Sequence, residues 1–262
     1  MDLGLYTTVY WIVFVFIYGA LFGSFLNSCI YRLVRGESIA TPRSHCPLCG
    51  TPIFWYDNIP ILSYILLRGR CRQCRKPISL QYPLVEGGTA LMALAVWFKN
   101  CLSTAFLTDF IFLFLLLGIA VIDARNYIIP DLFSLGGAAL GLVFSLLPGG
   151  LSPGQSVAGL LLGGGVLYLV AFLGERIFNK EAMGGGDIKM MAMIGAFLGW
   201  KGVAFTLFAG SLTGSLVFGF INYALGKKKL VPFGVFLALG GAFYVFLGER
   251  LIRGYLELFI FK

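Results

Sequence analysis

A chain of 262 residues that is 58% hydrophobic and only 12% charged, with a mean hydropathy of +0.88, is not an ordinary soluble domain, which carries about a quarter charged residues. Its formal net charge of +8 invites a nucleic-acid partner, but the placement of the charges gives the excess another origin.

A bilayer core takes about 20 mostly apolar residues per spanning helix. Windows meeting that requirement predict membrane helices at 6–29, 82–98, 107–123, 131–148, 155–174, 188–200, 203–224 and 231–248. Residues 9–22 are apolar, but Asp2 and no basic segment precede them, so they read as a retained first helix and not as a signal peptide. The 188–200 window is short and is expected to be tilted or entered from a partly buried loop. Residues 32–81 differ in kind. They hold Arg32, Arg35, Arg43, Arg68, Arg70, Arg72, Arg75 and Lys76, the acids Glu37 and Asp57, and four of the six cysteines. The fold class expected is an all-α polytopic membrane protein of about eight transmembrane helices, with a small cytoplasmic insert whose four cysteines bind zinc. Two parts are expected, 1–81 (first helix plus insert) and 82–262 (the remaining helices).

Eight spans put both chain ends on one side. The loops facing the other side then hold the insert's cations, Arg125, the trio Arg176, Lys180 and Lys189, and the trio Lys227, Lys228 and Lys229. The positive-inside rule places those loops in the cytoplasm. That distribution accounts for the basic balance without nucleic acid. Loop cations such as Lys189 and the 227–229 trio are expected to meet anionic lipid headgroups.

Within the insert, Cys46-Pro-Leu-Cys49 and Cys71-Arg-Gln-Cys74 form a CxxC…CxxC pair, with Gly50 after the first. Two close thiolate pairs close a tetrahedral all-sulfur shell around Zn2+ and leave no open position, so the metal is expected to be structural. A cytoplasmic insert keeps its thiols reduced, and one with so little apolar core needs such a staple. His45 reads as a polar loop residue, and Cys29 and Cys101 as small buried hydrophobes.

Ionisable residues at membrane depth are costly and usually functional. Asp123 closes the third span in LGIAVIDARNYIIPD, Asp131 opens the fourth, and Asp187 follows the glycines Gly184, Gly185 and Gly186 in GGGDIKMM. All three fall on the cytoplasmic side of the topology above. Asp131 and Asp187 each also read as helix N-caps. Asp123 lies at a helix C-terminus, where the dipole disfavours an anion, with Arg125 as a local partner. A pairing of Asp123 with Asp187 is the functional alternative. Two carboxyls in one partly desolvated site share a proton, so one takes a proton from water while the other polarises a peptide carbonyl.

The stretches GSFLNSCIYRL (23–33), PRSHCPLCG (42–50), WYDNIPILSY (55–64), LRGRCRQCRKPIS (67–79), QYPLVE (81–86), DARNYIIPD (123–131) and GGGDIKMM (184–191), in that order, resemble the type IV prepilin leader peptidases, bacterial members of the GxGD membrane aspartyl proteases. The resemblance implies that Asp123 and Asp187 are the catalytic pair. It makes Asp131 and Lys189 support or substrate-binding positions, with Gly184 and Gly186 shaping the turn. It also implies prepilin or pseudopilin substrates cut after a glycine at the cytoplasmic face of the inner membrane. An associated N-methylation of the new terminus would use S-adenosylmethionine. Residues 23–86 carry no glycine-rich Rossmann fingerprint. Methyl transfer needs a neutral amine, so Glu86 or Asp57 is a candidate to orient or deprotonate it. Alternatives are a leader peptidase without methyltransferase activity and, from another class, a zinc-sensing membrane transporter.

Overall fold

The computed structural model describes residues 3–41, 43–179, 183–225 and 232–259. Lys180 and the 227–229 trio lie outside the described residues. The chain divides into two compact units, Met1–Leu102 and Ser103–Lys262. Among the described residues the regular structure is helical, with two isolated β-bridges. Five helices are long and apolar enough to cross a membrane: Thr8–Leu33, Thr104–Asn126, Pro153–Phe178, Gly185–Ile221 and Phe233–Gly254.

In the first unit, helix α1 (Leu3–Leu33) packs on α3 (Gln81–Asn100), and the insert between them carries a 3-10 turn (Trp55–Asn58) and the short α2 (Leu62–Leu66). The seam is made by small residues one turn apart. A Cβ on Gly19 would lie 2.7 Å from the Ala90 Cα, and one on Gly23 would lie 2.6 Å from the Glu86 Cα. Such close backbone approach is how helices gain dispersion contacts in lipid, where no hydrophobic driving force acts between them. At the insert end of the seam, the Asn27 amide donates to the Tyr82 carbonyl at 3.0 Å.

The second unit holds α4 (Thr104–Asn126), α5 (Asp131–Phe144), α6 (Pro153–Phe178), α7 (Gly185–Leu225) and α8 (Phe233–Phe243), the last running through a π turn (Tyr244–Gly248) into α9 (Glu249–Phe259). Ser103 caps α4 through the Phe106 amide, and Ser152 with Gln155 forms a capping box on α6. Phe110, Phe112, Ile119 and Ile122 of α4 are buried, and α4 packs against α5 and α8.

The windows 188–200 and 203–224 belong to one element. α7 is two helical segments meeting at Gly199, whose φ of 67° and ψ of −174° interrupt the helix. The first segment is short for a span because protein, not lipid, surrounds it: Met190, Met191, Met193 and Ile194 are fully buried. Gly137 of α5 sits against Met193, and Gly159 and Gly163 of α6 sit against the α7 backbone at Gly195 and Met191. This packing presents Asp187, at the head of that segment, to the ends of α4 and α8. The eight expected apolar segments map onto α1, α3, α4, α5, α6, the two halves of α7, and α8.

Candidate active site and metal centre

α4 ends when Tyr127 adopts the left-handed conformation (φ 56°, ψ 36°) and its amide closes on the Asp123 carbonyl. Asp123 therefore sits in the last helical turn, and it is buried. Its own helix offers an anion nothing there, but α8 does. The Asp123 Oδ2 accepts from the Val235 amide at 3.2 Å, and the Gly234 amide also donates to it. These are N-terminal amides of α8, at the positive end of its dipole; the Val235 N–H is shared between Asp123 and the Pro232 carbonyl. Arg125, the expected local partner, is exposed and makes no ion pair with Asp123 among the described residues. Helix-terminal amides from over a hundred residues away take its place.

Asp187 lies in the first turn of α7, its amide donating to the Gly184 carbonyl at 3.1 Å. It is thus inside the helix and not its N-cap. Its charge interacts directly with that of Asp123. Ile129, in the turn after α4, touches both neighbouring backbones. A Cβ on Gly186 would lie 2.9 Å from the Ile129 Cβ, and one on Gly234 would lie 3.0 Å from its Cδ1 and 2.8 Å from the Asp123 Oδ2. Glycine at 186 lets α7 close on Ile129; glycine at 234 leaves room for the Asp123 carboxylate. A Cβ on Gly184 would meet the Asp187 Oδ2 at 3.6 Å, ordinary contact.

Asp131 is not an N-cap either, because Pro130 occupies that position. Its carboxylate accepts from Lys189 Nζ at 2.7 Å, with both side chains substantially exposed, so the pair contributes at most about 1 kcal/mol but ties the start of α5 to the first turn of α7. The structure thus gathers Asp123, Asp187, Gly184, Gly186, Asp131 and Lys189 around three helix ends. Ile129, Gly234 and Val235 were missed from the sequence. The available signal was Pro232-Phe233-Gly234, a proline and glycine at a helix start, though nothing local says which carboxylate it receives.

In the insert, the Sγ atoms of Cys46, Cys49, Cys71 and Cys74 all lie within 4.8 Å of one another. A tetrahedral ion with metal–sulfur bonds of about 2.3 Å needs edges of about 3.8 Å, so the four sulfurs fit such an ion after slight contraction. The two halves repeat one backbone plan. Gly50 N–H bonds the Cys46 carbonyl as Arg75 N–H bonds that of Cys71, and bridges join His45 to Pro52 and Arg70 to Pro77. Hydrogen bonds from the Thr51 hydroxyl and amide pull the Cys49 thiol down to about 6. The Cys74 and Gln73 amides pull Cys71 down likewise. Both are therefore prepared as thiolate ligands. His45 is a loop residue near the Arg43 carbonyl, and Cys29 is buried. Cys101 is not: it caps the C-terminus of α3 at φ 50° and is exposed, because a helix end cannot enclose it.

Glu86 is buried on α3, where its Oε2 accepts the Ile61 amide at 2.7 Å and the Ser24 hydroxyl donates to it as well. Ile61 (φ 62°, ψ −51°) centres a γ-turn in which the Leu62 amide reaches the Pro60 carbonyl. That conformation is strained for a β-branched residue, and Glu86 holds it. Asp57 is engaged elsewhere, in a two-point ion pair with Arg72 (2.7 and 2.6 Å). Nothing brings Asp57 and Glu86 into contact among the described residues.

Apolar spans, carboxylates gathered at helix ends and an insert of four cysteines able to hold a metal define a polytopic membrane protein with a candidate acid–base site. The bacterial peptidase A24 N-terminal domain family matches residues 17–100, and the type IV leader peptidase family matches residues 110–219. Curated relatives named prepilin leader peptidase/N-methyltransferase include one from Aeromonas hydrophila, 35% identical over 95% of this chain and 96% of the relative. Those from Pseudomonas putida (33%, covering 95% of each) and Klebsiella pneumoniae (37%, covering 77% of this chain and 91% of the relative) carry the same name. No solved structure shows a significant match. The chain belongs to the type IV leader peptidase family.

Proposed function

We propose that this protein removes the leader from type IV prepilins or pseudopilins at the cytoplasmic face of the inner membrane and then N-methylates the new terminus. Asp123 and Asp187 are the catalytic pair. One carboxylate takes a proton from water, the hydroxide adds to the scissile carbonyl, and the other carboxyl supplies the proton that the carbonyl oxygen needs. Collapse of the tetrahedral species, with a proton passed to the nitrogen, releases the amine and the leader acid. The observation carrying this reading is that Asp123, though at the wrong end of its own helix, is held by α8 amides within charge interaction of Asp187. The exposed Asp131–Lys189 pair sets the entry of α7, and the cytoplasmic placement follows from the distribution of cations along the chain.

The four cysteines hold a structural Zn2+, which fits an all-sulfur donor set and short CxxC turns. Methylation transfers the sulfonium methyl of S-adenosylmethionine to a neutral amine, leaving S-adenosylhomocysteine and a proton. Glu86 serves this step by fixing the Ile61 turn, since its carboxylate is already engaged there; Asp57 is similarly committed to Arg72. The deciding experiment incubates the purified full-length protein with a synthetic prepilin, with and without S-adenosylmethionine, and weighs the products. Mass loss equal to the leader, followed by a gain of one methyl, supports both activities, whereas cleavage without the gain supports a peptidase alone. Intact pilin with an ion flux altered by Asp123→Asn and Asp187→Asn would instead indicate a transporter.

A further inference from the structure

The two halves of the thiolate cluster share a backbone plan but not a charge. Residues 45–53 contain no Lys, Arg, Asp or Glu, whereas 70–78 contain Arg70, Arg72, Arg75 and Lys76. At the left-handed position of the turn the first half has Gly50 (φ 70°) and the second has Arg75 (φ 59°). A Cβ is disfavoured there, so turn chemistry does not explain the arginine. Arg68 occupies another such position at φ 52°. Arg68, Arg70, Arg72 and Arg75 line one cavity of about 310 Å³ together with Leu66 and Leu67. Arg72 has a carboxylate partner in Asp57. Among the described residues Arg68, Arg70 and Arg75 have none. Like charges converging on a cavity repel one another until an anion enters.

The chain leading into the cavity is tied to α3 near its insert end. Ile61 is bonded to Glu86, five residues into α3, or about 7.5 Å along its axis, and α3 packs on the apolar α1. The chain that follows Ile61 exposes Leu62, Ile65 and Leu66, at 49, 63 and 72%, immediately beside the arginines. Guanidinium groups next to exposed leucine and isoleucine complement a phosphate joined to acyl chains. A basic leader peptide would be repelled from the same place.

We propose that this cavity binds the headgroup phosphate of an anionic phospholipid, with Leu62, Ile65 and Leu66 against the first acyl carbons. The test titrates purified full-length protein in detergent with short-chain phosphatidylglycerol, in parallel with short-chain phosphatidylcholine and with inorganic phosphate, and reads bound lipid by native mass spectrometry. Arg75→Gly restores the residue that the first half uses at this φ, and with Arg68→Gln it removes two charges. Retained metal content reports that the insert still folds, and Arg68→Gln alone serves should the double variant lose it. Each removed guanidinium should weaken phosphatidylglycerol binding by on the order of fivefold, with phosphatidylcholine binding weakly and unaffected. Variants that bind phosphatidylglycerol like the parent, or a parent that binds phosphatidylcholine equally well, would overturn the proposal. Displacement of the lipid by equimolar inorganic phosphate would also overturn it, marking a site for soluble anions.

Discussion

At the scale of single residues, Asp123 is the position most dependent on its neighbours. A carboxylate at a helix C-terminus faces an unfavourable dipole, and the amides of Gly234 and Val235 offset it. Replacing either Asp123 or Asp187 by Asn is expected to reduce prepilin cleavage at least a thousandfold, at the limit of a mass-spectrometric assay, while the protein still inserts in the membrane. Gly234→Ala is the sharper test, since its Cβ would press on the Asp123 Oδ2 at 2.8 Å. It should lose cleavage nearly as far as the aspartate variants while retaining its metal; full activity would show that the α8 amides do not position Asp123. In the insert, the Thr51 hydroxyl helps to hold the Cys49 thiol near 6. A thiol with a lowered pKa stays a thiolate until the pH falls through that value, so removing a donor moves its protonation upward in pH. Thr51→Val should therefore release the metal at higher pH during acid titration, followed with a chromogenic zinc chelator.

At the scale of elements, helices are aligned by contacts that only small residues permit. Ile129 wedges between the turn holding Gly186 and the start of α8 holding Gly234. Overpacking of this kind costs about 1–3 kcal/mol. Gly186→Ala should thus lower cleavage about 5- to 150-fold, and Ile129→Ala in the same chain should restore part of it. No recovery in the double variant would mean that the loss has another origin. The kink at Gly199 belongs to this scale too. With φ 67° it lets one long apolar stretch turn from a protein-enclosed segment into a more exposed one, which a Cβ would strain.

At the scale of the whole molecule, the two candidate sites lie in separate compact units: the four cysteines in the first, Asp123 and Asp187 in the second. Stripping the metal with a thiol-reactive chelator should unfold the insert and abolish methylation while leaving the aspartate chemistry intact in kind. Cys→Ser at any of the four positions should act the same way. Cleavage that depends strictly on a metal bound at Asp123 and Asp187 would contradict the division of labour. The arginine-lined cavity adds a membrane-surface function to the first unit, one that rests on neither set of ligands.

Local chemistry was sufficient for much of this. Apolar runs of spanning length, the CxxC pairs and the charge-poor background with isolated acids are properties of short segments, so the helical class, the cysteine cluster and the candidate status of Asp123 and Asp187 could be read from the chain alone. Long-range packing decided the rest. That Pro130, and not Asp131, caps α5 depends on one residue of register. That Lys189 reaches Asp131, that α8 amides receive Asp123, and that α7 is one kinked element depends on which helix ends meet, and pairings between distant residues leave no trace in local periodicity. The exposure of Cys101 and the commitment of Glu86 to the Ile61 turn are of the same kind. Hydrophobicity tells a segment that it must be buried in lipid or protein; only the assembled structure says which neighbour buries it.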